Sequence, residues 1–192
     1  MADQTFTSGQ ILTAAQMTTL QSDIGMISIT PTGATNATLS GSVATIGAGV
    51  SSFTISGCFT SSWTNYRVVI SGMAASADQS DLRLTFNNSA GTTYATVGVN
   101  MDYNSATQYP LGPVNRTYLV VGSTSTTSNN GTFDIFMPYA AAQTFVNSCF
   151  NTTNHVYWYN SRDTNAASQT GFTITAATGT FSGGTVRVQA YR

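Results

Sequence analysis

One histidine, two cysteines and seven acidic residues, all aspartate, are the groups from which this 192-residue chain could build acid–base, nucleophilic or metal chemistry. A serine triad needs a histidine base held against the nucleophile. The single candidate, His155, stands in Thr153-Asn154-His155-Val156-Tyr157 among strand-forming residues, and no Gly-x-Ser-x-Gly elbow occurs. Thiol catalysis would need His155 beside Cys58 or Cys149, and neither cysteine stands in a thiol-enzyme signature. Apolar and small polar residues flank both, which predicts two buried thiols acting as small hydrophobes. Glycoside hydrolysis normally takes two carboxyl groups with separated pKa values, and without glutamate the nearest pair is Asp78 and Asp81. They lie in Ala77-Asp78-Gln79-Ser80-Asp81-Leu82-Arg83, which reads as a polar loop entering a strand with Asp81 and Arg83 paired on one face. One histidine and two separated cysteines do not make a zinc site, and two aspartates without a ligand loop do not make a calcium site. Phosphate loops and dinucleotide fingerprints are absent. The expectation is therefore no catalytic residue, no metal and no cofactor.

What remains able to grip a ligand is uncharged. Aromatic rings and amides are the groups with which glycan and protein surfaces are held, and Tyr103, Tyr109 and Trp158 are candidate glycan contacts near loops. The same ring types are also ordinary core or rim residues of a β-sandwich. Charged residues make up only 7% of the chain, with no lysine and no glutamate, against ~25% in ordinary soluble domains. Six scattered arginines give no basic stripe able to neutralise a run of phosphates, which excludes nucleic acid as a partner and polybasic attachment to a membrane. A formal net charge of −1 leaves little self-repulsion and favours a subunit within an assembly. The opening Met1–Phe6 has neither a basic nor an apolar leader segment, and no later run approaches the ~18 apolar residues of a membrane span. Synthesis in the cytoplasm is the expectation.

The elements that must position these residues are nearly all strands. One helix is predicted over about residues 14–24. Thr13 and Gln16 form a capping box, Leu12 and Met17 flank it, Met17, Leu20 and Ile24 make a narrow apolar stripe, and Gly25 stops it. About three turns are too short to stand alone in water, so the stripe Leu12, Met17, Leu20 and Ile24 must pack on something and is the predicted attachment element. From residue 26 onward apolar residues alternate with polar ones, and ten strands are predicted. They cover 52–59, 66–72, 81–86, 92–99, 117–121, 132–137, 144–150, 156–159, 172–175 and 185–191. Asn130-Gly131 and Gly183-Gly184 predict tight hairpin turns, with Phe181–Tyr191 the clearest hairpin. The Gly/Ser/Thr/Ala-rich stretch 32–51 reads either as a low-complexity linker or as weak strands of small residues around Val43, Ile46 and Val50, and the second reading is favoured. The expected fold is all-β, an antiparallel, jelly-roll-like β-sandwich over 26–192, preceded by an N-terminal arm and helix over 1–25.

Three blocks resemble virion proteins of tailed bacteriophages. The opening Phe6-Thr7-Ser8-Gly9-Gln10-Ile11-Leu12-Thr13-Ala14-Ala15-Gln16-Met17 is similar to the N-terminal entry of many minor tail and other structural proteins. The run Phe53–Thr60, continuing through Trp63–Ile70, resembles a strand-turn-strand block of small phage particle proteins, and Gly179–Arg192 resembles the segment with which those proteins end. Together they cover about a third of the chain. The departures are Cys58, where an aliphatic residue is more usual, and the absence of a long fibrous shaft. The resemblance implies a non-enzymatic virion structural protein, a homotrimer bound to other phage tail or capsid proteins. It would be exposed on the tail tip or fibre, where it meets the host surface and its glycans. The alternatives are a capsid decoration protein, either head fibre or cement, and a carbohydrate-binding module.

Overall fold

The computed structural model describes Thr13, Ala14, Gln16 and residues 25–89, 94–105, 107–111 and 116–192. Alternation sets which side of each strand is wet. In 81–86, Leu82, Leu84 and Phe86 are buried while Asp81, Arg83 and Thr85 are half-buried, the period of two of a strand with one dry face. Fifteen strands are present among the described residues: β1 (Ile27–Ile29), β2 (Gly33–Thr35), β3 (Ala37–Ser40), β4 (Val43–Ile46), β5 (Ser52–Ser56), β6 (Asn65–Ala75), β7 (Asp81–Phe86) and β8 (Tyr94–Asp102), then β9 (Gln108–Leu111), β10 (Leu119–Ser123), β11 (Asn129–Phe136), β12 (Thr144–Asn151), β13 (His155–Asp163), β14 (Gly171–Ala176) and β15 (Phe181–Tyr191). They form two antiparallel sheets. The large one runs β3-β4-β15-β6-β11-β12-β13-β8-β9, with β1 also paired to β15, and the small one runs β10-β7-β14-β5-β2.

The sheets face each other across one core. Phe133 of β11 meets Phe172 of β14 edge to face with centroids 5.9 Å apart, and Phe53 of β5 meets Phe181 of β15 at 5.4 Å. Phe59, just after β5, lies against Tyr66 of β6 at 4.8 Å and stacks on Phe172 at 5.9 Å. Each such buried ring contributes about 1.5–3 kcal/mol by leaving water. The Tyr66 hydroxyl reaches the backbone of Thr60, accepting from its N–H at 2.8 Å and donating to its C=O at 3.0 Å, so a fully buried phenol leaves no polar group unpaired. Where the large sheet extends through β12, β13 and β8, strand β10 covers its inner side. The layers are tied there by a polar relay: Ser161 donates to Thr96 Oγ1 at 2.9 Å, which accepts the backbone N–H of Val120 in β10 at 3.2 Å. The outer side of that extension faces solvent.

Several sequence expectations are corrected. Asn130-Gly131 makes no turn; both residues lie inside β11, opposite Asn151 and Phe150 of β12. A Cβ on Gly131 would overlap the Phe150 ring, so the glycine serves close packing. Gly183 and Gly184 do have positive φ, 140° and 119°, but they form a bulge within β15, whose register against β6 shifts on both sides of Gly183. Phe181–Tyr191 is therefore one long strand and not a hairpin. Asp81 pairs with Arg116 at 3.5 Å, while Arg83 lies over the Tyr118 ring, 4.2 Å from its centroid. Cys58 is buried, and burial pushes its thiol strongly up, but Cys149 is only half-buried; neither is in a disulfide. Cys149 sits on β12 between the buried Ser148 and Phe150, so alternation turns it to the outer side. The stretch 32–51 does break into short strands, β2 to β4.

At the N-terminal end the capping bonds are present: the Thr13 N–H donates to Gln16 Oε1 at 3.0 Å and the Gln16 N–H to Thr13 Oγ1 at 3.2 Å. Ala14 and Gln16 have helical backbone. The stripe residues Leu12, Met17, Leu20 and Ile24 lie outside the described residues, and no helix is among the described elements.

Candidate ligand-binding face

Register builds a three-by-three array on the outer side of β12, β13 and β8. Phe145, Arg162 and Ala95 form one cross-strand row, Asn147, Asn160 and Val97 the next, and Cys149, Trp158 and Val99 the third. Each row is continued by β11 through Phe136, Asp134 and Thr132. The large apolar members stand in water: Val97 and Phe145 are each 43% exposed and Trp158 42%. A depression of about 350 Å³ lies between Phe145, Asn147, Asn160, Arg162 and Val97, and a second of about 260 Å³ between Asp134, Asn147, Cys149 and Trp158. At the usual strand rise and spacing, Phe145 and Trp158 stand roughly 14 Å apart along a diagonal. The amides lie between them.

Asparagine is among the residues that strands disfavour, and Asn147 and Asn160 occupy mid-strand positions directly opposite each other. Both are exposed, and neither side chain has a hydrogen-bond partner among the described residues. Threonine or valine would serve the sheet better, so two aligned, unpartnered amides are a cost to the fold that ligand contact would explain. The charges around them are unequal. Asp134, beside Asn147, is held by Arg67 through two bonds of 2.7 Å, from Nε to Oδ1 and from Nη2 to Oδ2, and this pairing raises the Arg67 pKa. Arg162 has neither ion pair nor hydrogen bond among the described residues, so its guanidinium is the one uncompensated charge in the array. Gly98, opposite Tyr159, lets β8 come close to β13, since a Cβ there would run into the Trp158 carbonyl and the Tyr159 ring.

Of the three candidate contacts, Trp158 is in this array. Tyr103 is 58% exposed in the turn after β8, and its hydroxyl donates to Asn151 Oδ1 at 2.9 Å. Tyr109 stands opposite Asn100 in β9. Asn151 follows Cys149 on the outer side of β12, so the Tyr103 hydroxyl lies beyond the third row of the array and outside its nine positions. Phe145, Asn147, Asn160, Val97 and Arg162 were not singled out by the sequence; the usable signal was the alternation in 144–150, which puts Phe145, Asn147 and Cys149 on one side. His155 opens β13 at 8% exposure with its ring 5.9 Å from that of Tyr157, a packed position. Among the described residues no three His, Cys, Asp or Glu side chains converge in a way that could hold a metal. Comparison with known families finds no family model that matches the chain, and comparison with curated proteins finds no match.

Proposed function

We propose that this chain is a non-enzymatic structural protein of a tailed-bacteriophage particle. Its N-terminal 25 residues attach it to other virion proteins, and its β-body stands outward on the tail tip or fibre, where it meets the host surface. The observation that carries the reading is strand order. Within the two sheets, β4-β15-β6-β11 faces β5-β14-β7-β10. If β4 is the first strand of eight and β15 the last, consecutive strands alternate between the sheets except at the middle, where β7 and β10 pair as neighbours in the small sheet, and this is jelly-roll order, with β8-β9 and β12-β13 as two insertions that widen the other sheet. Jelly rolls serve viral capsid and lectin domains alike. The resemblance of the three sequence blocks to virion proteins, and a surface with almost no charge to oppose assembly, support the same reading.

The resemblance further implies a homotrimer, and the near-neutral surface fits it. Immunogold labelling of purified particles with antibody to residues 26–192 tests the location. Label confined to the tail tip is the expected result. Label spread over the head would replace tail display with capsid decoration, and unlabelled particles would overturn the virion reading.

A further inference from the structure

The three-by-three array has the layout of a sugar site and not of a protein interface. Protein–protein interfaces put apolar side chains at the centre and polar ones at the rim. Here the centre is Asn160, flanked by Asn147, and the large rings lie in the two outer rows, Phe145 at the end of one and Trp158 in the middle of the other. A saccharide chain presents that pattern in reverse: hydroxyls along its length for amides, and apolar ring faces for aromatic platforms. The diagonal between the rings is longer than a single pyranose and suits an oligosaccharide. Charge then fixes the ligand's chemistry. Asp134 is neutralised by Arg67, and Arg162 beside Phe145 is the cation of the array, without an ion-pair partner among the described residues.

We propose that the outer face of β12, β13 and β8 binds an oligosaccharide carrying a carboxylate-bearing sugar. Phe145 and Trp158 stack on its rings, Asn147 and Asn160 hydrogen-bond its hydroxyls, and Arg162 pairs with the carboxylate. This assignment rests on the reading that the β-body faces the host surface.

The test is calorimetric titration of the full chain with uronate trisaccharides, built of galacturonate, mannuronate or glucuronate, and with their carboxyl-reduced counterparts. Saturable binding to at least one acidic trisaccharide is expected, with its reduced counterpart weaker by about tenfold or more. Arg162→Gln removes that preference, and Trp158→Ala weakens binding by about tenfold or more. The double variant Asn147→Thr with Asn160→Thr is the most discriminating. It loses binding while its melting temperature stays level or rises, because threonine is the better strand former. Absence of binding to every acidic trisaccharide, or full affinity in the double variant, overturns the proposal. Alkylation of Cys149 by a maleimide supplies a second readout, blocked by bound saccharide and fast without it; a Cys149 protected in the unliganded protein would mean that a second copy covers the face, and would also overturn it. Lost binding with normal entry into particles counts against this inference alone, and retained binding without entry counts against the virion reading alone.

Discussion

Gly131 shows how a residue can be visible in a sequence and still be misread. Next to Asn130 it has the look of a turn, yet its partner is Phe150, and the missing Cβ is space that the ring fills. Gly131→Ala should therefore cost about 1–3 kcal/mol by overpacking, read from the midpoint of urea unfolding; an unchanged midpoint would place the ring elsewhere. Cys149 carries the same lesson. Its neighbours are apolar enough to suggest burial, and only its phase within β12 turns it outward. Trp158 was legible as a candidate contact because a large ring is informative wherever it occurs, and it stands exposed in the array. Asn147 and Asn160 were not, since in a chain so rich in asparagine nothing marks two of them until register sets them side by side.

At the scale of elements, strands with one dry face were readable. Strand β7 has the expected limits, Asp81 to Phe86, and β12 begins at the expected Thr144. Strand β13 was read as ending at Tyr159, but it continues to Asp163, because Asn160-Ser161-Arg162-Asp163 is polar on both sides and carries no apolar alternation. Asn160 and Arg162, two residues of the candidate site, were hidden by that. The polarity has a structural reason: Ser161 points inward and joins Thr96 in the relay that meets the Val120 N–H of β10. Thr96→Val would leave that buried N–H and the Ser161 hydroxyl without their partner, at a cost of about 1–3 kcal/mol. The expected signature is faster hydrogen exchange along β10 than along β14, with the rest of the small sheet protected; uniform loss of protection would mean that the relay does not hold β10 locally. Which strands adjoin could not be read from the chain at all, since periodicity gives each strand a dry side but no neighbour.

For the whole molecule, the scarcity of charge sets how stability responds to solvent. The described residues contain two ion pairs, Arg67–Asp134 and Arg116–Asp81, both partly exposed. Screening them should matter little, so the melting temperature is expected to change by only a few degrees, about 5 °C or less, between low and molar NaCl. A large shift would reveal charge interactions beyond these two. Alkali is the more demanding condition. Burial raises the pKa of Tyr66, Tyr94, Tyr157 and Tyr159, so the folded state prefers the neutral phenols. Because these folded values lie above the unfolded one of about 10, their stabilisation is present in full below pH ~10 and is lost as pH rises through the folded values. Phenolate absorbance from these four should appear in a cooperative step together with unfolding; gradual ionisation of all nine tyrosines in a folded protein would contradict this. On the acid side, Asp102 is lowered chiefly by the backbone N–H of Asn104, a stabilisation present above the usual aspartate value and lost as pH falls through the folded one.

On the proposed reading the chain is a particle component held by its first 25 residues. The most direct measurement is quantitative mass spectrometry of purified particles assembled with either the full chain or residues 26–192 as the sole source of this protein. A fixed copy number, a multiple of three, is expected for the full chain, and none for the shortened one, which remains folded and β-rich in the unassembled fraction. Equal copy number for both would contradict the attachment role, and absence of the full chain from particles would contradict the claim itself.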